Sequence, residues 1–157
     1  MSAIACQDFA RHIAHFEDTL RREPQEGVSY EDWCEHMHAC EACSDALLAH
    51  RVRKWDVDPA AFPCVHMAYR ATQTCPMHEE WSECPDLIIS YDEVFDEYCL
   101  IKDGVSLAIS YCPWCGTRLP ASQRDRWFRE LEALLGTNPL QVADKVPKRY
   151  RSREWRG

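Results

Sequence analysis

Apolar side chains occur at helical spacing throughout the first third of the chain. An apolar residue recurs every three or four positions over about residues 5–22, which predicts one amphipathic helix. Pro24 and Gly27 should end this helix, because both residues continue a helix poorly. Ser29 and Asp32 have the spacing of a capping box, so a second helix should begin just after Ser29. A third apolar stretch follows, and this part of the chain is therefore predicted to be helical.

The second half of the chain has the composition of β-strands. Segments rich in β-branched and aromatic side chains predict three strands, at residues 87–91, 98–101 and 105–111. The turn Lys102-Asp103-Gly104 should join the last two strands as a hairpin. A helix that is capped by Ser122 with Asp125 and stopped by Gly136 is predicted to follow the sheet.

A stretch with two prolines and no periodicity separates the two halves. Residues 57–63 are predicted to be a linker between a helical module at residues 1–56 and a second module at residues 64–157. The predicted fold class is α+β, with a small three-helix module followed by an antiparallel three-stranded sheet and a C-terminal helix.

Composition and charge narrow the possible functions. The chain has 157 residues and a formal net charge of −8, which argues against bulk electrostatic binding of nucleic acid. No apolar run approaches the length of a membrane span, and the N-terminus lacks the pattern of a signal peptide. The expected location is the cytoplasm, where ten clustered cysteines more often bind metal than form disulfides.

The first candidate metal site is the segment H-x3-C-x2-C. On a helix His36 and Cys40 would lie one turn apart on the same face, and Cys43 would follow at the start of the next helix. Thiolate and imidazole are the ligands that structural zinc prefers, and such a site normally has four ligands. A helical module of this size also has a small core, so a metal would help to hold it together.

Residues 4–54 resemble the bacterial zinc-binding anti-sigma domain and related zinc-finger modules. The resemblance rests on Cys6-Gln7-Asp8-Phe9, the apolar stripe, the capped second helix and the H-x3-C-x2-C segment. It implies one zinc ion, and it carries the ligands over to Cys6, His36, Cys40 and Cys43. It also implies a protein partner, with a sigma factor as the candidate, bound by the helix surfaces around Trp33, Leu47 and Trp55. The alternatives are a buried, non-ligating Cys6, with His12 as substitute ligand, and ligation by the neighbouring Cys34 or His38.

The second candidate metal site is the segment C-P-W-C-G at residues 112–116. Its proline and glycine are typical of a zinc knuckle, in which a tight turn directs backbone amides toward the two sulfurs. A redox C-x-x-C of the thioredoxin type is the alternative, but that motif should open a helix. Gly116 and Pro120 follow the second cysteine, so the knuckle is favoured.

The remaining ligands of the second site must come from elsewhere in this module. The candidates are Cys64, His66, Cys75, His78, Cys84 and Cys99. The prediction is a zinc site formed by Cys64, Cys75, Cys112 and Cys115, with His78 and Cys84 as reserves. Cys99 lies in the middle of a predicted strand and is better explained as a packed thiol. The module then has the character of a zinc ribbon, and the chain should hold two zinc ions.

Residues 63–156 also resemble a small bacterial family of unknown function that is marked by C-P-W-C-G. The motifs that carry the resemblance are Cys75-x2-His78, Cys84-Pro85-Asp86, the C-P-W-C-G segment, Leu119-Pro120 and Arg124-Asp125-x-Trp127-Phe128. The family implies no activity.

Three function classes are compatible with these motifs. The leading prediction is a non-enzymatic regulatory module that binds a protein. The second is a nucleic-acid-associated zinc ribbon, because the basic C-terminal tail contains Tyr150 and Trp155. The third is a zinc-dependent deaminase-like hydrolase, because His78-x-Glu80 precedes a C-x-x-C motif. Tyr111 stands where that enzyme signature has proline, and the predicted four-ligand sites leave no position for a reactive water.

Overall fold

The computed structural model describes residues 4–19, 22–78, 84–102 and 104–157. The chain divides into two compact units, Met1–Tyr69 (unit 1) and Arg70–Gly157 (unit 2). A short 3-10 turn, Pro59–Ala61, occupies the predicted linker, and the boundary between the units falls later, inside a helix. Among the described residues, no helix is long and apolar enough to cross a membrane. The α+β fold class predicted from the sequence is confirmed.

Helices build unit 1. Its elements are α1 Cys6–Ile13, a π-helical turn Ala14–Asp18, α2 Tyr30–Ala39, α3 Glu41–Lys54 and the first part of α4 Val65–Thr72. The predicted first helix therefore corresponds to α1 and the π-helical turn, and Leu20 in its last turn lies outside the described residues. Ser29 caps α2 as predicted, because its Oγ accepts the backbone N–H of Asp32 at 3.1 Å.

An aromatic core joins α1, α2 and α3. The rings of Phe9 and Trp33 stack with centroids 4.8 Å apart, and the Trp33 indole donates a hydrogen bond to the Phe9 carbonyl at 3.3 Å. Phe16 and Leu47 complete this core and are almost fully buried. Trp33 and Leu47 are therefore unavailable to a partner, contrary to the prediction that they lie on a binding surface. Trp55, at the end of α3, remains 41% exposed.

Unit 2 contains the three-stranded antiparallel sheet, in the order β1-β2-β3. The strands are β1 Ile89–Asp92, β2 Glu97–Lys102 and β3 Val105–Ala108. Cys99 pairs with Ala108 in the register of β2 and β3. Gly104 has a φ of +76°, which suits the predicted hairpin turn, and Asp103 lies outside the described residues.

The C-terminal part of unit 2 packs around α5 Arg124–Leu135. Gly136 ends the helix in the left-handed conformation, with a φ of +68°. Three 3-10 turns follow, Pro139–Lys145, Lys148–Arg151 and Arg153–Arg156. Trp155 in the last turn is 6% exposed, and its indole donates a hydrogen bond to the Val94 carbonyl at 2.7 Å. The C-terminal tail is thus part of the core of this unit.

An ion pair between the buried Glu97 and the partly exposed Arg124 connects β2 to α5. Glu97 is 7% exposed, and the Nε of Arg124 donates to its Oε1 at 3.1 Å. Ser122 donates a second hydrogen bond to Glu97 at 2.6 Å. Arg124 holds the pKa of Glu97 below its ordinary value, so the carboxylate stays ionised although it is buried. Ser122 bonds to Glu97 and Gln123 takes the N-cap position, so α5 begins one residue later than a cap at Ser122 predicts.

Candidate metal centres

A break between two helices positions the ligands of the first centre. Cys40 lies between α2 and α3 in an extended conformation, with φ −122° and ψ 105°. Its N–H donates to the His36 carbonyl at 2.9 Å, and its own carbonyl accepts the N–H of Ser44 at 3.0 Å. One residue therefore ends the first helix and begins the next. This arrangement turns the chain so that Cys43 faces His36.

The structure brings Cys6, His36, Cys40 and Cys43 together. All four ligand atoms lie within 4.8 Å of one another. The sulfurs of Cys6 and Cys40 are 3.7 Å apart, and the Nε2 of His36 is 3.2 Å from the sulfur of Cys43. Ligands of a tetrahedral zinc ion are separated by about 3.6–3.8 Å, given the usual zinc–ligand bond lengths. A disulfide would instead need about 2.05 Å. The spacing fits four ligands of one metal ion.

The cysteines of this centre experience different environments. Cys43 is buried, and its burial raises the pKa of its thiol to about 12. The pKa of Cys40 is lowered instead, chiefly because the backbone N–H of Cys43 donates a hydrogen bond to its sulfur. A divalent cation would offset the cost of a buried thiolate at Cys43. The site therefore has the chemistry of a cation site that is partly enclosed by protein.

The neighbouring candidates lie outside this cluster. His12 is 1% exposed, and its Nδ1 is 2.8 Å from the side-chain oxygen of Gln25, so it is held in the core of unit 1. Cys34 packs against the aromatic core, and the cluster includes neither Cys34 nor His38. Cys6 is exposed, which does not agree with the alternative that it is a buried apolar residue.

The knuckle cysteines of unit 2 lie in a tight turn. The N–H of Gly116 donates to the Cys112 carbonyl at 2.9 Å, and the N–H of Cys112 donates to the Thr117 carbonyl at 2.8 Å. Gly116 has a φ of +69°, a conformation that glycine adopts most easily. No helix begins within the described residues 112–120. The turn has the geometry of a metal knuckle, and it differs from that of a helix-opening redox motif.

Unit 1 offers a further pair of donors at the start of α4. Cys64 immediately precedes the helix, and its carbonyl accepts the N–H of Ala68 at 3.0 Å. His66 lies in the first turn, with 15% of its side chain exposed and its Nε2 3.5 Å from the carboxylate of Asp45. One helical turn thus presents a thiol and an imidazole.

A separate cluster of unit 2 contains Cys75, His78 and Cys84. The three ligand atoms lie within 4.8 Å of one another, and the sulfur of Cys75 is 3.2 Å from the Nδ1 of His78. The hydrogen bond from His78 lowers the pKa of Cys75 to about 7. The sequence predicted Cys75 as a ligand beside the knuckle. Among the described residues of unit 2, Cys75 instead lies with His78 and Cys84, which were the reserve ligands. A turn at Pro76 and Met77 folds Cys75 onto His78.

The other predicted features of this region have different outcomes. Cys99 is buried, and its thiol donates a 3.7 Å hydrogen bond to Glu97, so it is a packed thiol as expected. Glu80, the proton shuttle in the deaminase pattern, lies outside the described residues.

Comparison with known proteins places most of the chain in a family. No curated protein and no solved structure matches the chain. A family model described as a domain of unknown function, DUF6980, matches residues 61–157. This region coincides with the C-terminal part, for which the sequence predicted a family of unknown function. The matched region is more than half of the chain, and the protein therefore belongs to the DUF6980 family.

Proposed function

We propose that the protein is a non-enzymatic zinc protein, in which two four-ligand zinc ions hold a regulatory protein-binding module. The observation that carries this proposal is the cluster of Cys6, His36, Cys40 and Cys43. Its donor set is three cysteines and one histidine, which is typical of structural zinc. Four protein ligands complete a tetrahedral shell, so such a zinc ion has no position for a reactive water.

The proposed second zinc ion is held at the knuckle of unit 2. The knuckle supplies Cys112 and Cys115, which are two of the four ligands that a structural zinc ion takes. Both residues fall within the matched family region of residues 61–157. Cys75, which the sequence predicts as a further ligand, is left out of this proposal because it lies with His78 and Cys84.

The proposed partner is a basic protein surface, with a sigma factor as the first candidate. The net charge of −8 favours association with a positively charged partner. Trp55 is 41% exposed at the end of α3, and exposed tryptophans are frequent anchors at protein interfaces. This support replaces the surface predicted around Trp33 and Leu47, both of which are buried.

The C-terminal tail gives little support to nucleic-acid binding. Trp155 is buried, and Arg156 pairs with Asp96 at 2.8 Å. Arg151 donates hydrogen bonds to the backbone carbonyls of Val146 and Ala143. These side chains serve the packing of unit 2. The deaminase alternative also lacks support, because His78 lies with Cys75 and Cys84 and the pattern pairs it with the knuckle cysteines.

Metal counting tests the zinc assignment. Native mass spectrometry of the full chain, after dialysis against a weak chelator, should show two zinc ions. Cys43→Ser and Cys112→Ser should each lose one ion, and the matched control Cys34→Ser should keep both. A wild-type chain that keeps one ion or none would refute the two-site assignment, and a coloured protein would indicate iron instead.

Binding measurements test the partner. Isothermal titration against purified sigma factors should give a complex whose affinity falls in Trp55→Ala. Trp114→Ala, which alters the 38% exposed tryptophan of the knuckle, is the matched control and should bind normally. Neutralising Arg149 and Arg153 should have no effect. Tight, salt-sensitive binding of nucleic acid that is lost in the neutralised variant would overturn the protein-partner proposal.

A further inference from the structure

We infer that Cys75, His78 and Cys84 form a third metal site, an exchangeable zinc site with three protein ligands and one open position. This site goes beyond the proposed function, because neither structural zinc ion uses these residues. The three ligand atoms lie within 4.8 Å of one another. Two thiolates and an imidazole are a donor set that zinc accepts.

The ligands converge because two turns shape the chain on either side of them. A turn at Pro76 and Met77 brings the Cys75 sulfur to 3.2 Å from the Nδ1 of His78. A second turn follows Cys84, whose carbonyl accepts the N–H of Leu87 at 3.3 Å. Cys84 is 5% exposed and anchors the group, while His78 is exposed. One buried and two accessible ligands suit a site that loads and releases its ion from solvent.

The open position follows from the ligand count. Among the described residues, no fourth Cys, His, Asp or Glu side chain belongs to this group. A zinc ion held by three protein ligands keeps a fourth position for a water or an external donor. With two thiolates already bound, the site matches soft donors, so a small thiol is the class of external ligand that it should accept.

The location of the site explains what the ion would do for the fold. The described residues between α4 and β1, residues 73–78 and 84–88, contain no helix and no strand. A metal that ties Cys75 to Cys84 would join these two described stretches. Because the ligands lie in these stretches and in no described helix or strand, the ion can leave without unfolding the unit.

A disulfide between Cys75 and Cys84 is the competing explanation. Both sulfurs belong to the same group of ligand atoms, so an oxidant could join them. The histidine argues for the metal, because a disulfide has no use for an imidazole beside it, whereas zinc gains a ligand. The two explanations differ in whether His78 is required.

The test is a zinc titration of the full chain in a non-thiol reductant, followed by native mass spectrometry. We expect a third ion in the wild type, and we expect a competing dye to remove it first. His78→Ala and Cys75→Ser should lose this ion and keep the other two. His38→Ala is the matched control, because His38 lies in no ligand cluster, and it should bind all three ions.

Two further measurements examine the site directly. Bound zinc should slow alkylation of Cys75 by about tenfold or more, while the alkylation rate of Cys34 should not change. In the cobalt-loaded chain, added 2-mercaptoethanol should increase the thiolate-to-metal absorbance in the wild type and not in His78→Ala.

Several results would overturn the inference. They are a zinc count that is the same in the wild type and in His78→Ala, and a Cys75 alkylation rate that does not change when zinc is bound. If the thiolate-to-cobalt absorbance does not change when 2-mercaptoethanol is added, the site has no open position. The variants also separate this site from the proposed function. If the wild type binds two zinc ions in total and His78→Ala binds one, the site of Cys75, His78 and Cys84 is supported and one of the two proposed structural sites is refuted.

Discussion

Replacing Cys43 by serine should unfold the helices of unit 1. Cys43 is 4% exposed and contributes both to the aromatic core and to the first metal centre. The substitution keeps the size of the side chain and removes the thiolate. Two explanations of this residue therefore predict different losses of stability.

The magnitudes separate these explanations. If Cys43 is only a core residue, a buried hydroxyl in its place costs about 1–3 kcal/mol. If it is a zinc ligand, the variant loses much of a metal-binding free energy on the order of 10 kcal/mol. Typical domains are stable by about 5–15 kcal/mol, so the second loss is enough to unfold the unit and the first is not. Cys34→Ser, in the same core but outside the cluster, should cost only the smaller amount.

Hydrogen–deuterium exchange of the full chain, resolved by peptide, is the appropriate assay. In Cys43→Ser the amides of α1, α2 and α3 should lose protection, while the amides of the sheet and α5 should keep theirs. A strong chelator should reproduce this pattern in the wild type. The reasoning fails if the variant loses only about 1–3 kcal/mol and the chelator leaves the helices protected. Loss of protection in both units would show that they share one cooperative fold.

Three further predictions concern unit 2, and chemical denaturation at controlled pH checks each of them. Glu97→Gln should cost about 1.5 kcal/mol at neutral pH, at the low end for charged hydrogen bonds because Arg124 is 44% exposed. The pKa of Glu97 is lowered in the folded state, so this stabilisation is present above the ordinary carboxyl pKa. It is lost as the pH falls through the pKa of the folded state. The free energies of unfolding of the wild type and the variant should therefore converge in acid. Gly136→Ala should cost about 1 kcal/mol through backbone strain alone, because a Cβ there would meet nothing within 4 Å; no loss would show that the helix end rearranges. Trp155→Ala should lower the free energy of unfolding by about 3–5 kcal/mol. A change near zero would indicate that the tail is an exposed segment.

Short-range patterns in the sequence predicted several element ends and the grouping of three candidate ligands in the first cluster. Ser29 caps its helix, Gly136 ends another, and the three strands form a meander in chain order. The H-x3-C-x2-C segment depends only on helical spacing and one helix break, so His36, Cys40 and Cys43 could be grouped from the sequence. Cys6 lies more than thirty residues earlier, and only the resemblance to a known family brought it into this group.

Ligands that depend on long-range packing could not be assigned from spacing. The sequence predicts Cys75 as a ligand beside the knuckle cysteines. The position of Cys75 depends on the turn that folds it onto His78. The sequence alone does not show on which side of that turn each sulfur lies. Trp33 and Leu47 were predicted as surface residues for a similar reason, because a helix with apolar residues does not reveal how many neighbours cover them.

The positions of the ligands imply that metal loss has different consequences at the first metal centre of unit 1 and at the cluster of Cys75, His78 and Cys84 in unit 2. The first cluster draws its ligands from α1, from the junction of α2 and α3, and from α3 itself. An ion there links the packing of three helices, so its release and the unfolding of unit 1 should be one event. Cys75, His78 and Cys84 lie in the described stretches 73–78 and 84–88, which contain no helix and no strand, so an ion there can leave at little cost to the core. A chain built in this way would keep the helices of unit 1 intact while the ion of unit 2 exchanges with its surroundings.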